Sequence, residues 1–437
     1  MGDLRSYYGP LLDTERNTKA NAGRGRKAAR VCLIVLIVMS LMTVAVASFL
    51  NKGVITPEKT HVLFTLETVC SDGDVGQYSS LILNPLIPGE VAIAHYNATQ
   101  GDLMITRYDG AWSSITAASG GDVGSYCSID CNSTGVRLVS YYNATTGNLD
   151  FGTSTGERSS VDNSTNDVGK YSSIDVSIYD SIAISYYDAT AGDLKVAYNR
   201  SGNSSWVIYT VETIGDVGLY TNALFMPMND TIMVTYYNAS DTSLKQAWAW
   251  DNGTGLSQWY NMTIYYQPAT DIGKWSFQAG TETGIWYSSW YDATNGDLCY
   301  GYYSNETLMQ FGVHPDTVGD VGQYTSIGCN SSGNAFISYY DNTNKDLKLA
   351  WNTSWGVWYN FTIDSAGDVG KYTSLRIDSS DAIHISYYDA DNGDLKYVKI
   401  LSTEIEMIPE FENVVIPIVG VLAIAVAVSS IRRRKEA

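Results

Sequence analysis

Histidine is nearly absent from this chain of 437 residues: only four are present, at positions 61, 95, 314 and 384, and no His-x-x-x-His spacing occurs. The six cysteines contain no Cys-x-x-Cys pair either, so the sequence offers no zinc site of the usual spacing. Cys32 lies in an apolar segment, and Cys70, Cys127, Cys131, Cys299 and Cys329 form an odd set that allows two disulfides at most. Cys127 and Cys131 would project to the same face of one strand, too far apart for an unstrained bond. Arginine is sparse in the middle of the chain, where Arg107, Arg137, Arg158, Arg200 and Arg376 fall on non-equivalent strands or loops. No Gly-x-Ser-x-Gly, phosphate loop or dinucleotide fingerprint occurs. Basic residues are also scarce there: residues 51–431 hold 16 Lys and Arg against 42 Asp and Glu, a net charge of −26. Such a surface repels nucleic acid and anionic headgroups and attracts cations.

What the chain has in abundance is a repeated phrase. Asp-Val-Gly-x-(Tyr/Trp), or Asp-Ile-Gly in one copy, starts at Asp74, Asp122, Asp167, Asp216, Asp271, Asp320 and Asp368, in steps of 48, 45, 49, 55, 49 and 48 residues. About twenty residues after each start comes an aromatic pair, or His95-Tyr96 in the first copy, followed by Asp or Asn. Four short strands and their turns occupy a period of this length, so seven copies predict an all-β, seven-bladed β-propeller. In the third copy the strands are expected at Tyr171 to Val176, Ser181 to Tyr187, Leu194 to Tyr198 and Ser205 to Val211. The last copy lacks a fourth strand, while His61 to Val69 precedes the first copy and has the character of one. The N-terminal strand is therefore expected to complete the last blade and close the ring.

The flanks differ in composition. Residues 1–30 are polar and basic, 31–50 are apolar and long enough to span a bilayer, and Ala45-Val-Ala47 leaves a cleaved signal open as an alternative to an anchor. Residues 414–431 are apolar and lead into Arg432-Arg-Arg-Lys435. The positive-inside rule puts residues 1–30 and 432–437 in the cytoplasm, makes 31–50 and 414–431 transmembrane helices, and leaves the propeller, 51–407, and the linker, 408–413, outside. Fourteen Asn-x-Ser/Thr sequons, among them Asn132, Asn203, Asn229 and Asn330, suggest a glycoprotein.

Two readings of the repeated carboxylates stay open. Asp74, Asp122, Asp167, Asp216, Asp271, Asp320 and Asp368 can cap turns, or they can line one face as a ring of oxygen ligands for Ca²⁺ or for sugar hydroxyls. Local function is expected where the repeat departs from itself: His95 replaces an aromatic residue, and Trp275, Trp286 and Trp290 enrich the fifth copy. Packing is the plainer reading of all four.

The phrase Tyr-Thr-Ser-Ile followed by Ile-Ser-Tyr-Tyr-Asp, most complete from Tyr324 to Thr343, resembles the tandem repeat of exported archaeal and bacterial propeller-like proteins. The tail Ile408-Pro-Glu-Phe411, its apolar span and its arginine cluster are similar to archaeal Pro-Glu-Phe sorting signals, which imply removal of the tail by an archaeosortase. A permanent membrane helix is the alternative. Sialidases share the propeller fold, but the scattered arginines do not supply their three-arginine cluster. The expectation is a cell-surface binding or adhesion module for an extracellular glycan or protein, with no nucleic-acid partner. The alternatives are an exported carbohydrate-active enzyme with its site at the axis and a structural cell-envelope protein.

Overall fold

In the computed structural model the described residues are 64–401, apart from 204, 305–307 and 354–355. They form twenty-eight strands in seven four-stranded antiparallel sheets, each a blade with strands a to d from the axis outward. In blade 3 these are Val168–Val176, Ile182–Asp188, Asp193–Asn199 and Val207–Glu212. Strand a starts earlier than the sequence suggests because Val168 and Lys170 already pair with Asp188 and Tyr187. No helix among the described residues is long and apolar enough to cross a membrane. The apolar segments 31–50 and 414–431 and the Pro-Glu-Phe tail lie outside the described residues.

The seventh sheet is composite, ordered Leu66–Cys70, Asp394–Ile400, Ile383–Asp389, Val369–Ile377. Leu66 pairs with Val398 and Cys70 with Leu395, so the N-terminal strand closes the ring as expected. Closure gives the last strand c a partner in place of an open edge. The hydrophobic cores lie between blades, not within them: Leu349 and Trp351 of blade 6 pack with Ile383, Ile385 and Tyr387 of blade 7. Strand b is covered on both sides, and all seven residues of Ile383–Asp389 are buried. That is why its apolar residues run consecutively instead of alternating.

The Asp-Val-Gly loops and the b–c hairpins share one rim of the disc, here the top. At each blade junction the Val amide donates to the preceding hairpin, as in Val123 to the Gly101 carbonyl at 2.9 Å. Within each blade the hairpin amide returns a bond to the Asp carbonyl, as in Ala144 to Asp122 at 2.8 Å. The glycine of the phrase is required twice over. Gly124 has φ 109°, and a Cβ there would stand 2.7 Å from Leu103 Cα of the neighbouring blade.

A second interlock recurs in four blades. In blade 7 the Tyr387 hydroxyl and the Lys396 ammonium both donate to Asp364 at the end of blade 6, at 2.8 and 2.5 Å. Tyr339, Lys348 and Asp316 repeat the arrangement, as do Tyr186, Lys195 and Asp162, and Tyr236, Lys245 and Glu212. In the other three blades the Lys–carboxylate pair is absent from these positions. Lys gives way to Met104, Asp150 and Cys299, while the position paired like Asp364 becomes Cys70, Ala118 and Tyr265. Blades 1 and 5 carry neither charge, whereas blade 2 keeps a half-buried carboxylate, Asp150, which accepts Asn143 Nδ2 at 2.8 Å; an unpaired buried ion is otherwise avoided.

Candidate functional site at the propeller axis

The residue that follows Asp-Val-Gly-x sits at the axis. Tyr78, Tyr126, Tyr171, Tyr220, Trp275, Tyr324 and Tyr372 form a closed ring of seven, with neighbouring centroids 4.6–5.2 Å apart. Their planes differ by 46–59° from one blade to the next. A seventh of a turn is about 51°, so the planes run parallel to the axis. At these spacings rings turned face-inward would overlap, and they therefore stand edge-inward. All seven residues have φ between 49° and 55°, a left-handed conformation repeated around the ring. Burial, and then the charge of neighbouring phenols, pushes the hydroxyls of Tyr78 and Tyr171 well above the usual phenol range, so these phenols stay neutral.

Around this ring stands another, made by the second aromatic of each strand b. Tyr96, Tyr142, Tyr187, Tyr237, Tyr291, Tyr340 and Tyr388 meet the axial rings at centroid distances of 5.4–6.3 Å. Each of their hydroxyls donates to the Asp of the next Asp-Val-Gly loop at 2.6–2.7 Å, from Tyr96 to Asp122 round to Tyr388 to Asp74. The backbone amide of each of these Asp residues is in turn capped by a hairpin side chain, as in Thr145 Oγ1 to Asp122 at 2.7 Å. The Asp or Asn after the aromatic pair caps its own hairpin: Asp188 accepts the Thr190 and Ala191 amides. Among the described residues no group of three or more His, Cys, Asp or Glu is placed to hold a metal ion.

Below the aromatic ring the axial channel is lined by hydroxyls, around a cavity of about 180 Å³. The hydroxyls of Ser80, Ser128, Ser173, Ser326 and Ser374 and the amide oxygen of Asn222 each accept a backbone amide from the next blade, at 3.0–3.2 Å. Phe277 occupies this position in blade 5 and has no acceptor to offer.

Two residues further along strand a the repeat breaks. The seven positions hold Ile82, Asp130, Asp175, Leu224, Ala279, Gly328 and Arg376; Ile82 is buried and the other six are half-buried. Asp130 accepts the Val176 amide at 2.7 Å and Asp175 the Phe225 amide at 2.5 Å, each from the next blade. Arg376 lies over the Phe277 ring, 5.7 Å from its centroid, and gives one hydrogen bond, to the Leu375 carbonyl. Removal from bulk water pushes both carboxyls up, and the charge of Asp130 raises Asp175 further. The arrangement is a recessed acid pair beside a guanidinium with unspent donors, on an aromatic floor.

The residues singled out in the sequence do not form one cluster. Trp275 belongs to the axial ring. His95 is fully buried; its Nε2 bonds Thr106 Oγ1 at 2.8 Å, its Nδ1 has no partner, and burial lowers its pKa to about 3. Trp286 is buried with Nε1 donating to Gln278 at 2.7 Å, and Trp290 is fully buried against Tyr265. The five described cysteines are all free. Asp130, Asp175 and Arg376 escaped the sequence reading as a site, although they are the three charges at one strand position whose other four equivalents are apolar.

No family model matches the chain, and no curated protein matches it. Among solved structures it is similar to the polysaccharide lyase Uly1, at 11% identity and a TM-score of 0.50 over 80% of this chain and 93% of that one. An ulvan lyase bound to -[GlcA(1-4)Rha3S]- aligns at 12% identity and 0.49 over 76% and 95%. A lectin of Aleuria aurantia in complex with Fucα1-6GlcNAc aligns at 10% and 0.42 over 68% and 98%. At these identities the likeness defines the class by fold alone, a β-propeller.

Proposed function

We propose that this protein is a cell-surface carbohydrate-binding β-propeller, held by the apolar segments 31–50 and 414–431, with its ligand site in the axial channel. The observation that carries the reading is the layer formed by Asp130, Asp175 and Arg376. Six of the seven blades supply a hydroxyl or amide acceptor one layer above, and only here does the axis gain charges that the repeat does not need. Carboxylates and a guanidinium in fixed positions suit adjacent sugar hydroxyls, which need acceptors and donors together. Ca²⁺ at the acidic rim and N-linked glycans on the sequons are parts of the same proposal.

The test is a glycan array on the purified full chain, with and without Ca²⁺, repeated for Arg376→Gln and Asp175→Asn. Binding is expected to fall at least tenfold in both variants while the melting transition persists. Unaltered binding in both would remove the site from the axis. A second reading takes Asp130 and Asp175, two carboxyls raised by burial, as the acid and base for cleavage of a glycosidic bond. Release of reducing ends from a glycan that the array identifies distinguishes enzyme from binder.

A further inference from the structure

The bottom of the disc, where the a–b turns lie, carries a clasp in two places. Asp180 of blade 3 takes the Ser133 amide and hydroxyl of blade 2 at 2.7 and 2.6 Å. Asp381 of blade 7 takes those of Ser331 of blade 6 at 2.8 and 2.6 Å. Both aspartates have positive φ, 64° and 62°. Blade 4 has Asp230 at the same turn position with φ 55°, but blade 3 presents Ile178 where the clasped serine would stand. Asp230 therefore has the carboxylate without the clasp, and the Ser177 hydroxyl lies beside it instead. Blades 2, 5 and 6 use Gly135, Gly284 and Gly333 at this position, so the turn does not require a carboxylate. A left-handed residue without structural need, beside a cavity, is where function is sought.

The cavity is about 640 Å³ and lies between blades 3 and 4. Its outer wall is the long connection from Ala249 to Tyr260 in blade 4, which falls within the 55-residue step of the repeat. That connection folds back over blade 3. Asp251 receives the Tyr198 hydroxyl at 2.8 Å and Arg200 Nε at 2.9 Å, and the Leu256 amide reaches the Tyr209 hydroxyl at 3.1 Å. Asp230, Asp251 and Arg200 thus face a space bordered by the amides of Asn203 and Asn229 and by Tyr179, whose side of the rim is open. Asp251 also raises the pKa of Asp230, after burial.

We propose that this pocket is a second saccharide-binding site, separate from the axis, for a neutral mono- or disaccharide. Carboxylates accept from sugar hydroxyls, a guanidinium fixed by its own ion pair donates to them, and the exposed Tyr179 ring offers a face to sugar C–H groups. The volume falls in the range of small-ligand sites. The sugar can be a free saccharide or the first residues of a glycan on Asn203 or Asn229, and the two sources are separable.

The experiment titrates a panel of neutral mono- and disaccharides into full chain produced without N-glycosylation, followed by calorimetry. The variants are Asp230→Gly, Tyr179→Ala and, as a control outside the pocket, Asp180→Gly. Asp230→Gly, which restores the residue used by three other blades, is expected to keep or raise the melting temperature and to weaken binding at least tenfold. Asp180→Gly should lower the melting temperature and leave affinity unchanged. In glycosylated protein, loss of binding that removal of the Asn203 and Asn229 sequons restores assigns the pocket to the chain's own glycan. The proposal fails if no saccharide binds, if binding survives both pocket variants, or if Asp230→Gly destabilises as much as Asp180→Gly. Binding lost in Arg376→Gln but kept in Asp230→Gly overturns this pocket while leaving the axial site intact.

Discussion

The Tyr388 hydroxyl of blade 7 donates to Asp74 of blade 1 at 2.7 Å across 314 positions of sequence. It is the seventh member of a belt whose other six bonds join blades that follow one another in the chain. The same junction is held by the N-terminal strand, which supplies strand d to blade 7. Two independent devices therefore close the ring where the backbone does not.

They should differ in weight. Tyr388→Phe removes one charge-assisted hydrogen bond at a partly buried site and is expected to cost about 1–3 kcal/mol. Deleting residues 51–70 removes a strand, exposes the edge of Asp394–Ile400, and should give aggregation or a non-cooperative transition. Denaturant unfolding followed by tryptophan fluorescence, with light scattering, checks both. A truncated chain that melts like the parent would mean that the belt alone closes the ring.

The buried ion pairs give a sharper contrast. Lys348 stands 2.5 Å from Asp316, with side chains 11% and 1% exposed. Lys348→Met leaves Asp316 buried without its cation and should cost roughly 3–5 kcal/mol. Adding Asp316→Leu should recover much of that loss, since blades 1 and 5 do without both charges. A double variant no more stable than the single one would show that the carboxylate is needed for itself, through Tyr339.

The blade count and the closing strand were legible because the repeat recurs seven times and its fourth strand is missing once. Asp188 and its equivalents cap their own hairpins, where the residue type suits the turn. The use of Asp122 was not legible: its carboxylate is taken by Tyr96, 26 residues earlier in the chain, and such a partner is set by the neighbouring blade. The axial ring was hidden in plain view as the Tyr of the repeat, since sequence shows a recurring residue but not that recurrence around an axis brings the copies together. Asp130 and Asp175 stand on consecutive copies, and closure of the ring brings Arg376 of the seventh beside them.

His95 makes stability depend on pH. In the unfolded chain its pKa is about 6.5, whereas burial holds it at about 3 in the fold. Between those values the unfolded state binds the proton and the folded state does not, so stability falls as pH drops below 6.5. At pH 4.5 the loss from this residue is roughly 2–3 kcal/mol. His95→Gln cannot take up that proton, so urea midpoints at pH 7 and 4.5 should differ less in the variant than in the parent. An equal difference would assign the acid sensitivity to other groups.

Trp275 and Trp290 separate a residue of the axis from a residue of the core. Trp290 is fully buried against Tyr265, Leu244 and Ile272, and its Nε1 has no partner, so its whole contribution is packing. Trp290→Ala should cost about 3–5 kcal/mol through the cavity it opens. Trp275 occupies a position that six other blades fill with Tyr at the same positive φ. Trp275→Tyr should therefore fold with a change below about 1.5 kcal/mol and complete a ring of seven tyrosines. Glycan binding measured on both variants then discriminates. A change in affinity with Trp275→Tyr at unaltered stability places the ligand against the aromatic ring, whereas unchanged affinity leaves it lower in the channel, at Asp130, Asp175 and Arg376. Any affinity change in Trp290→Ala should track its lost stability, and one that exceeds it would contradict the packing role.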